Sequence, residues 1–320
     1  MRKFALRLIL QRTVLALGTL LVASFLIFWL IEWLPGDVAT RAAPRGADPE
    51  TIQTVRRDLG LDRPGLVRYG DWLAGFVTGD WGRSLVARAP VTESLLPKLF
   101  NTLVLAGVAL LLYLPLSLVT GVLTAVFRHR RWSTVVSVLV LLGTAIPEFV
   151  IAIFLLVVFT VLLQWFTPLA DIGSANSIGE LVQVMALPVL TLVIAMTAYA
   201  VRMLQGSLVD VLDSDYVRMA RLRGLPSWRI IVRHALPQAV GPMARVTVLN
   251  LAWVVGGVVV VEQIFEYPGM GRLLVESIQL LDTPMIAAIT LILAGTYIVA
   301  NVAADLMAAL FNPKLRGDSR

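Results

Sequence analysis

The sequence predicts an all-α, polytopic membrane protein with six transmembrane helices, on three observations: its composition, its long uncharged runs, and the alternation of basic residues between the segments that join them. Of 320 residues, 58% are hydrophobic and 15% charged, with a mean hydropathy of +0.82. Soluble domains average about 25% charged residues and could not bury this much apolar surface. The runs are Ile9–Ile31, Thr102–Phe127, Val135–Leu163, Val184–Met203, Thr247–Val261 with its flanks, and Met285–Phe311. A helix rises 1.5 Å per residue, so roughly 20 residues cross a hydrocarbon core of about 30 Å. Six crossings is therefore the economical count, with residues 1–320 forming a single permeation domain. The fifth is the weakest, because Arg245 trims its start and Gly256-Gly257 weakens its middle.

The first run follows Arg2, Lys3, Arg7 and Arg12, as a signal peptide would. It is longer than the 7 to 15 residues of such a segment, and Trp29, Glu32, Trp33 and Pro35 follow it in place of a small-residue cleavage site. It reads as a retained first span. Basic residues then gather on one side: the N-terminus, Arg128-His129-Arg130-Arg131 after span two, Arg218 to Arg233 between spans four and five, and Lys314, Arg316 and Arg320 in the tail. The opposite side receives Asp171, Glu180, Glu262, Glu266, Glu276 and Asp282 against Arg272 alone. The positive-inside rule then makes both termini cytoplasmic, in a multi-pass protein of the inner membrane. A net charge of +6 is accounted for by topology and calls for no nucleic acid. With no cysteine and only His129 and His234, disulfides, thiolate metal sites and imidazole clusters are excluded.

The first outer loop, residues 32–100, is too long for a bare connection. Glu50–Leu59 reads as a short helix ended at Gly60, and Pro64–Phe76 as a second with a greasy face of Trp72, Leu73 and Phe76. They form a docking cap for an external partner or a packing element over the helix ends. Pro115, Pro147 and Pro188 should bend or loosen their spans. Glu148, about 13 residues into span three, falls near mid-bilayer, where a carboxylate costs about 3 kcal/mol and faces a water-filled path or a polar partner. It lines a translocation path, makes a helix-to-helix bond as the neutral acid, or stands at another depth than the run suggests. Asn250 is a weaker candidate for the same path. Asn301 and Asp305, four apart on one face, suit a structural bond better than catalysis.

Residues 215–237 are too polar to span and too well patterned for a slack linker. Asp215 can cap a helix over Tyr216–Arg223, and Gly224 can close it in the left-handed conformation. A second short helix can start near Pro226 and Ser227 and run to Ala235, where Pro237 starts or redirects the next span. Arg218 and Arg221, and Arg229 and Arg233, recur at spacings of three and four, as do Val217, Ala220 and Gly224. Such a helix–turn–helix knuckle can transmit force. The alternative is an amphipathic segment lying on anionic lipid.

This stretch, Asp215 to Gly224 followed by Arg233-His234-Ala235-Leu236-Pro237, resembles the cytoplasmic loop of ABC-importer permeases, and among them the dipeptide, oligopeptide and nickel group. The same group is matched by Leu34-Pro35-Gly36-Asp37, by Leu59 to Pro64, by Gly79 to Ser84, by Val261 to Gly271, and by Asn301 to Asp305 with Phe311-Asn312-Pro313. Met219 and Leu222 depart from the small-residue run usual in the loop, leaving Ala220 as its clear small member. The resemblance implies a translocation subunit paired with a second homologous permease, driven by two cytoplasmic ATPase subunits that hold ATP and Mg, and fed by an extracytoplasmic solute-binding protein. No cofactor is implied in this chain, which lacks a Gly-x-x-x-x-Gly-Lys-Ser/Thr phosphate loop and is not expected to be an enzyme. It also implies that Asp215, Tyr216, Arg218, Ala220, Arg221, Gly224, Arg229, His234 and Pro237 couple to the ATPase, with apolar residues filling its cleft.

The expected cargo is a dipeptide or oligopeptide, with nickel chelates and oligosaccharides as alternatives. An ion channel would want a carbonyl filter or rings of charge, and neither is present. On the outer side, Glu262–Thr283 should form a gate or docking element, or else an interfacial helix that only seals the bundle: Glu266 lies before a tight turn at Pro268-Gly269, Gly271 adds backbone freedom, and Leu273, Leu274, Ile278 and Leu281 follow at helical spacing.

Overall fold

A residue that precedes proline is pushed toward extended backbone, and this single rule rearranges the third expected span. In the computed structural model, Ile146 is extended at φ −90°, ψ 123° and Pro147 follows at φ −60°, ψ 145°. The helix therefore stops at Ala145 and a new one starts at Glu148, bent from the first by 110°. The structure describes residues 2–33, 39–40, 43, 46–58, 60–170, 172–174 and 177–311, with backbone alone at 2–10, 58, 252, 255–257 and 304–311. The Leu34–Asp37 pattern, Asp171, the Asp305 side chain and the tail from Asn312 lie outside the described residues.

In chain order the helices are α1 (Arg2–Glu32), α2 (Pro49–Asp58), α3 (Gly65–Thr78), α4 (Val91–Val126), α5 (Arg131–Ala145) and α6 (Glu148–Leu156), which continues as a π-helical stretch, Val157–Leu162. They are followed by α7 (Ile178–Leu212), α8 (Asp215–Leu222) and α9 (Ser227–Arg229), with a π-helical stretch, Ile230–Ala235, leading into α10 (Leu236–Ile264). Then come α11 (Met270–Leu280) and α12 (Thr283–Phe311). Four helices, α1, α4, α7 and α12, have stretches long and apolar enough to cross a membrane, and the bent pair α5–α6 makes a fifth. With the 29-residue α10, the pattern is consistent with six crossings.

One expectation changes. Glu148 lies in the first turn of α6, half-buried at the break, not in the middle of a straight span. That position suits a carboxylate, since the free amides of a helix start carry partial positive charge. Pro115 and Pro188 remain inside unbroken helices, so only Pro147 interrupts its span. Pro237 sits in the first turn of α10, the first of the two alternatives expected of it; helical backbone runs without interruption from Ser227 to Ile264.

The core gathers around α7. Two-thirds of its apolar window is buried, 67%, against 6% for α1, which places α7 at the centre and α1 at the rim. Leu105, Tyr113, Leu192, Leu204, Val217 and Val258 belong to one apolar core shared by α4, α7, α8 and α10. Gly121 lets α4 approach α7 closely, since a Cβ there would lie 2.8 Å from Leu204. A smaller core, Val91, Leu95, Met270, Met285 and Ile289, joins the start of α4 to α11 and α12.

The outer loop forms the two short helices expected of it, and Gly60 and Gly79 close them at φ +64° and +92°. α3 packs on α1: Ser24 and Tyr69 share a 2.8 Å hydrogen bond, and Arg68 pairs with Glu32 at 2.5 Å. Between α3 and α4, the segment at Ser84 is held by the buried Asp282. Its carboxylate accepts from the Ser84 hydroxyl and, at 3.1 Å, from the Leu85 amide.

Candidate functional site

The basic end is a folded knuckle with two unlike faces. Ser214, extended at φ −69°, ψ 152°, precedes α8 and occupies the cap position expected of Asp215, which stands in the first turn. Gly224 closes the helix at φ +75°, with its amide donating to Arg221 O at 2.9 Å. Inward, Val217, Ala220, Ile230 and Ala235 are buried in the shared core. Ala220 therefore packs within the chain and is not free to fill a partner's cleft. Outward, Tyr216, Met219, Leu222 and Trp228 are exposed, ringed by Arg218, Arg221 and Arg229. Met219 and Leu222 face away from the core, so their bulk does not crowd the contact made by Ala220.

Two side-chain contacts order this outer face. The Tyr216 hydroxyl and His234 Nδ1 are 2.7 Å apart, tying α8 to the run that becomes α10. The Arg229 guanidinium lies over the Trp228 ring at 5.6 Å, within cation–π range. Nearby, Arg128 pairs with Asp213 at 2.6 Å and fastens the loop after α4 to the end of α7. An apolar centre with a cationic rim is suited to a cleft with an acidic edge.

The other end of the same rod is built in the opposite way. Glu262, in the last turn of α10, is fully buried, and its carboxylate accepts from the Thr102 hydroxyl at 2.6 Å, the Gly271 amide at 2.7 Å and the Arg272 amide at 3.1 Å. Thr102 in turn accepts from the Met270 amide at 2.8 Å. Three free amides at the start of α11 are thus satisfied by a carboxylate from α10 and a hydroxyl from α4. Both glycines are demanded by this approach. A Cβ on Gly269 would lie 2.0 Å from the Glu262 carboxylate, and one on Gly271 would lie 2.5 Å from Val259 Cα.

The turn between α10 and α11 is equally anchored. Gly269 N donates to Tyr267 O at 2.7 Å around Pro268, whose own carbonyl accepts from Asn101 Nδ2 at 2.8 Å. The buried Tyr267 hydroxyl donates to Asn101 O at 2.8 Å. Burial, and then the charge of Glu262, push this phenol well above its usual range, so it stays a donor. Glu266 takes φ +51° on the surface, where its carbonyl accepts from Arg272 at 2.6 Å, and Arg272 also pairs with Glu276 at 2.8 Å. The expected structured element over Glu262–Thr283 is present.

Between the two ends, Asn250 joins three helices. Its amide donates to the Tyr113 hydroxyl on α4 at 3.2 Å and to Met196 O on α7 at 3.4 Å, and Thr247 stands 3.0 Å from the same hydroxyl. Asn301 donates to Tyr297 O on its own helix.

A profile described as binding-protein-dependent transport system inner membrane component matches residues 117–317, and the N-terminal membrane-component profile of the same systems matches residues 5–106. The chain belongs to this permease family. A Brucella abortus (strain 2308) protein named as a peptide transport system permease is 34% identical over 311 residues, covering 97% of this chain and 99% of that one. The glutathione transport system permease protein GsiC of Escherichia coli (strain K12) is 33% identical over 308 residues, covering 96% and 98%.

Within this permease, the knuckle residues named from sequence run from α8 through the Gly224 turn into the start of α10, with Ala220 turned inward. Glu148 and Asn250 lie on separate helices, α6 and α10, and no hydrogen bond joins them among the described residues. Glu262, Thr102, Asn101 and Asp282 were missed as a constellation. The available signal was an acid ending an apolar run shortly before a glycine-flanked helix start.

Proposed function

We propose that this chain is the translocation subunit of an ATP-driven, binding-protein-dependent importer for dipeptides or oligopeptides. It would pair with a second homologous permease and two cytoplasmic ATPase subunits that carry the ATP and Mg chemistry, and receive solute from an external binding protein. The knuckle would seat in the ATPase, with both termini on that side. Specificity would reside chiefly in the binding protein.

The single observation that carries this reading is the uninterrupted helical run from Ser227 to Ile264. It joins an exposed apolar and basic knuckle to a capped outer element, so a pull at one end is delivered as rigid-body motion at the other. The peptide names of two relatives at about one-third identity favour the cargo.

The test is uptake of labelled dipeptide by proteoliposomes holding the assembled complex, its binding protein and internal ATP. ATP-dependent accumulation is expected, lost on Leu222→Glu. Accumulation without ATP would overturn the drive, and uptake of a sugar or nickel chelate with no peptide uptake would overturn the cargo.

A further inference from the structure

Two of the apolar helices expose aliphatic faces: α1 exposes Val14, Leu17 and Leu21, and α5 exposes Val135, Leu139 and Leu142. The exposed face of α7 departs from that, and α10 adds polar residues to an exposed face that also holds Leu249. Between Thr191 and Leu212, α7 exposes only Tyr199, Arg202, Gly206 and Asp210. Steps of three and four residues put all of them on one face, and the face carries no aliphatic side chain. On α10, Gln238, Arg245 and Leu249 are exposed at steps of seven and four, again on one face.

The two arginines stand at one level. α7 and α10 run antiparallel, since Ala170, shortly before α7, bonds to Phe265 at the far end of α10, and Asn250 fixes their register by reaching Met196 O. From that contact Arg245 lies about 7.5 Å, and Arg202 about 9 Å, toward the basic end at 1.5 Å per residue. Neither guanidinium has an acidic side chain within ion-pair distance among the described residues. An unpaired cation at the edge of an apolar span marks a polar pathway or a partner, and arginine's planar fork matches a carboxylate with two parallel hydrogen bonds.

We infer that Arg202 and Arg245 form a carboxylate-selective station at the inner throat of the solute path, engaging the terminal carboxylate of a passing peptide. The inference rests on the proposed peptide importer and adds the residues that discriminate within it. Exposure of the pair to water on the path keeps the contact weak enough to release its cargo.

The experiment uses the complete complex in proteoliposomes and two peptides that the binding protein captures equally, one with a free C-terminal carboxylate and one amidated. Wild type should prefer the free acid. In Arg202→Gln and Arg245→Gln, uptake of the free acid should fall by about tenfold or more, equivalent to about 1.4 kcal/mol. Uptake of the amide and binding-protein-stimulated ATP hydrolysis should hold, and Arg245→Lys should rescue in part. Equal losses for both peptides would overturn the station and assign the arginines to lipid phosphate or to subunit contact. Unchanged uptake of both would overturn it outright. A wild-type complex that moves neither peptide would instead remove the peptide reading on which it rests.

Discussion

The two ends of the Ser227–Ile264 rod solve opposite problems with similar residues. At the Glu262 end, Tyr267, Glu262 and Thr102 spend their hydrogen-bonding capacity inside the chain, on amides and carbonyls that would otherwise be buried unpaired. At the basic end, Tyr216, Leu222 and Trp228 are left exposed, and the arginines around them face outward. The contrast shows that the cap at Glu262 is closed by its own sequence, whereas the knuckle leaves apolar and cationic side chains exposed. A rod fixed firmly at one end and offered bare at the other is suited to carry motion.

The contrast is broken most severely at Gly271. A β-branched side chain there meets Val259 backbone, which cannot rotate away. Gly271→Val should therefore cost more than about 3 kcal/mol and prevent recovery of folded permease, as read by the yield and thermal melt of the purified chain. An unchanged melt would mean that α10 and α11 do not approach as closely as this geometry requires.

The next largest effect is at Glu262. Alanine leaves the Gly271 and Arg272 amides and the Thr102 hydroxyl without their acceptor, each worth about 1 kcal/mol or more when buried, so a loss of about 3 kcal/mol is expected. Glutamine keeps one oxygen for the two amides but presents hydrogens to Thr102, and should lose roughly half as much. If alanine and glutamine melt alike, the carboxylate is not what holds the start of α11.

A third substitution sharpens the comparison by separating folding from coupling. Leu222 is 75% exposed, so Leu222→Glu should move stability by no more than about 0.5 kcal/mol. It should still abolish binding-protein-stimulated ATP hydrolysis in the assembled complex. Destabilisation without loss of that stimulation would turn the knuckle into a structural element.

Much of this contrast was legible in the sequence, but unevenly. The knuckle could be read because its determinants are local: Ser214-Asp215, the Arg spacing and Gly224 set helix, turn and helix within a few residues. Which face looks inward could not, because Ala220 and Met219 are both apolar and only contact with the distant α4, α7 and α10 core decides between them. Glu148 was misplaced for a similar reason. An apolar run was treated as a straight rod, and the bias of Ile146 before Pro147 toward extended backbone prevailed over apolar periodicity. The cap at Glu262 escaped because one of its partners, Thr102, comes from α4, about 160 residues earlier in the chain.

The smallest expected effect is also the most direct measure of the difference between the ends, since the same change can be made at both. Tyr216→Phe removes a hydroxyl that bonds to His234 on a half-exposed ring, where water can replace it. About 0.5 kcal/mol or less should be lost, close to 1 °C in melting temperature. Tyr267→Phe removes a hydroxyl from a ring with no exposure, and leaves the carbonyl of Asn101 without that donor. No water reaches it to compensate, so about 1 to 2 kcal/mol should be lost. Coupling should invert the ranking: Tyr216→Ala, which also strips the ring from the exposed face, should depress stimulated ATP hydrolysis while the melt barely moves. Equal melting shifts for the two phenylalanine variants would show that the outer cap is as open to water as the knuckle, and the distinction between a fixed end and an offered end would fall.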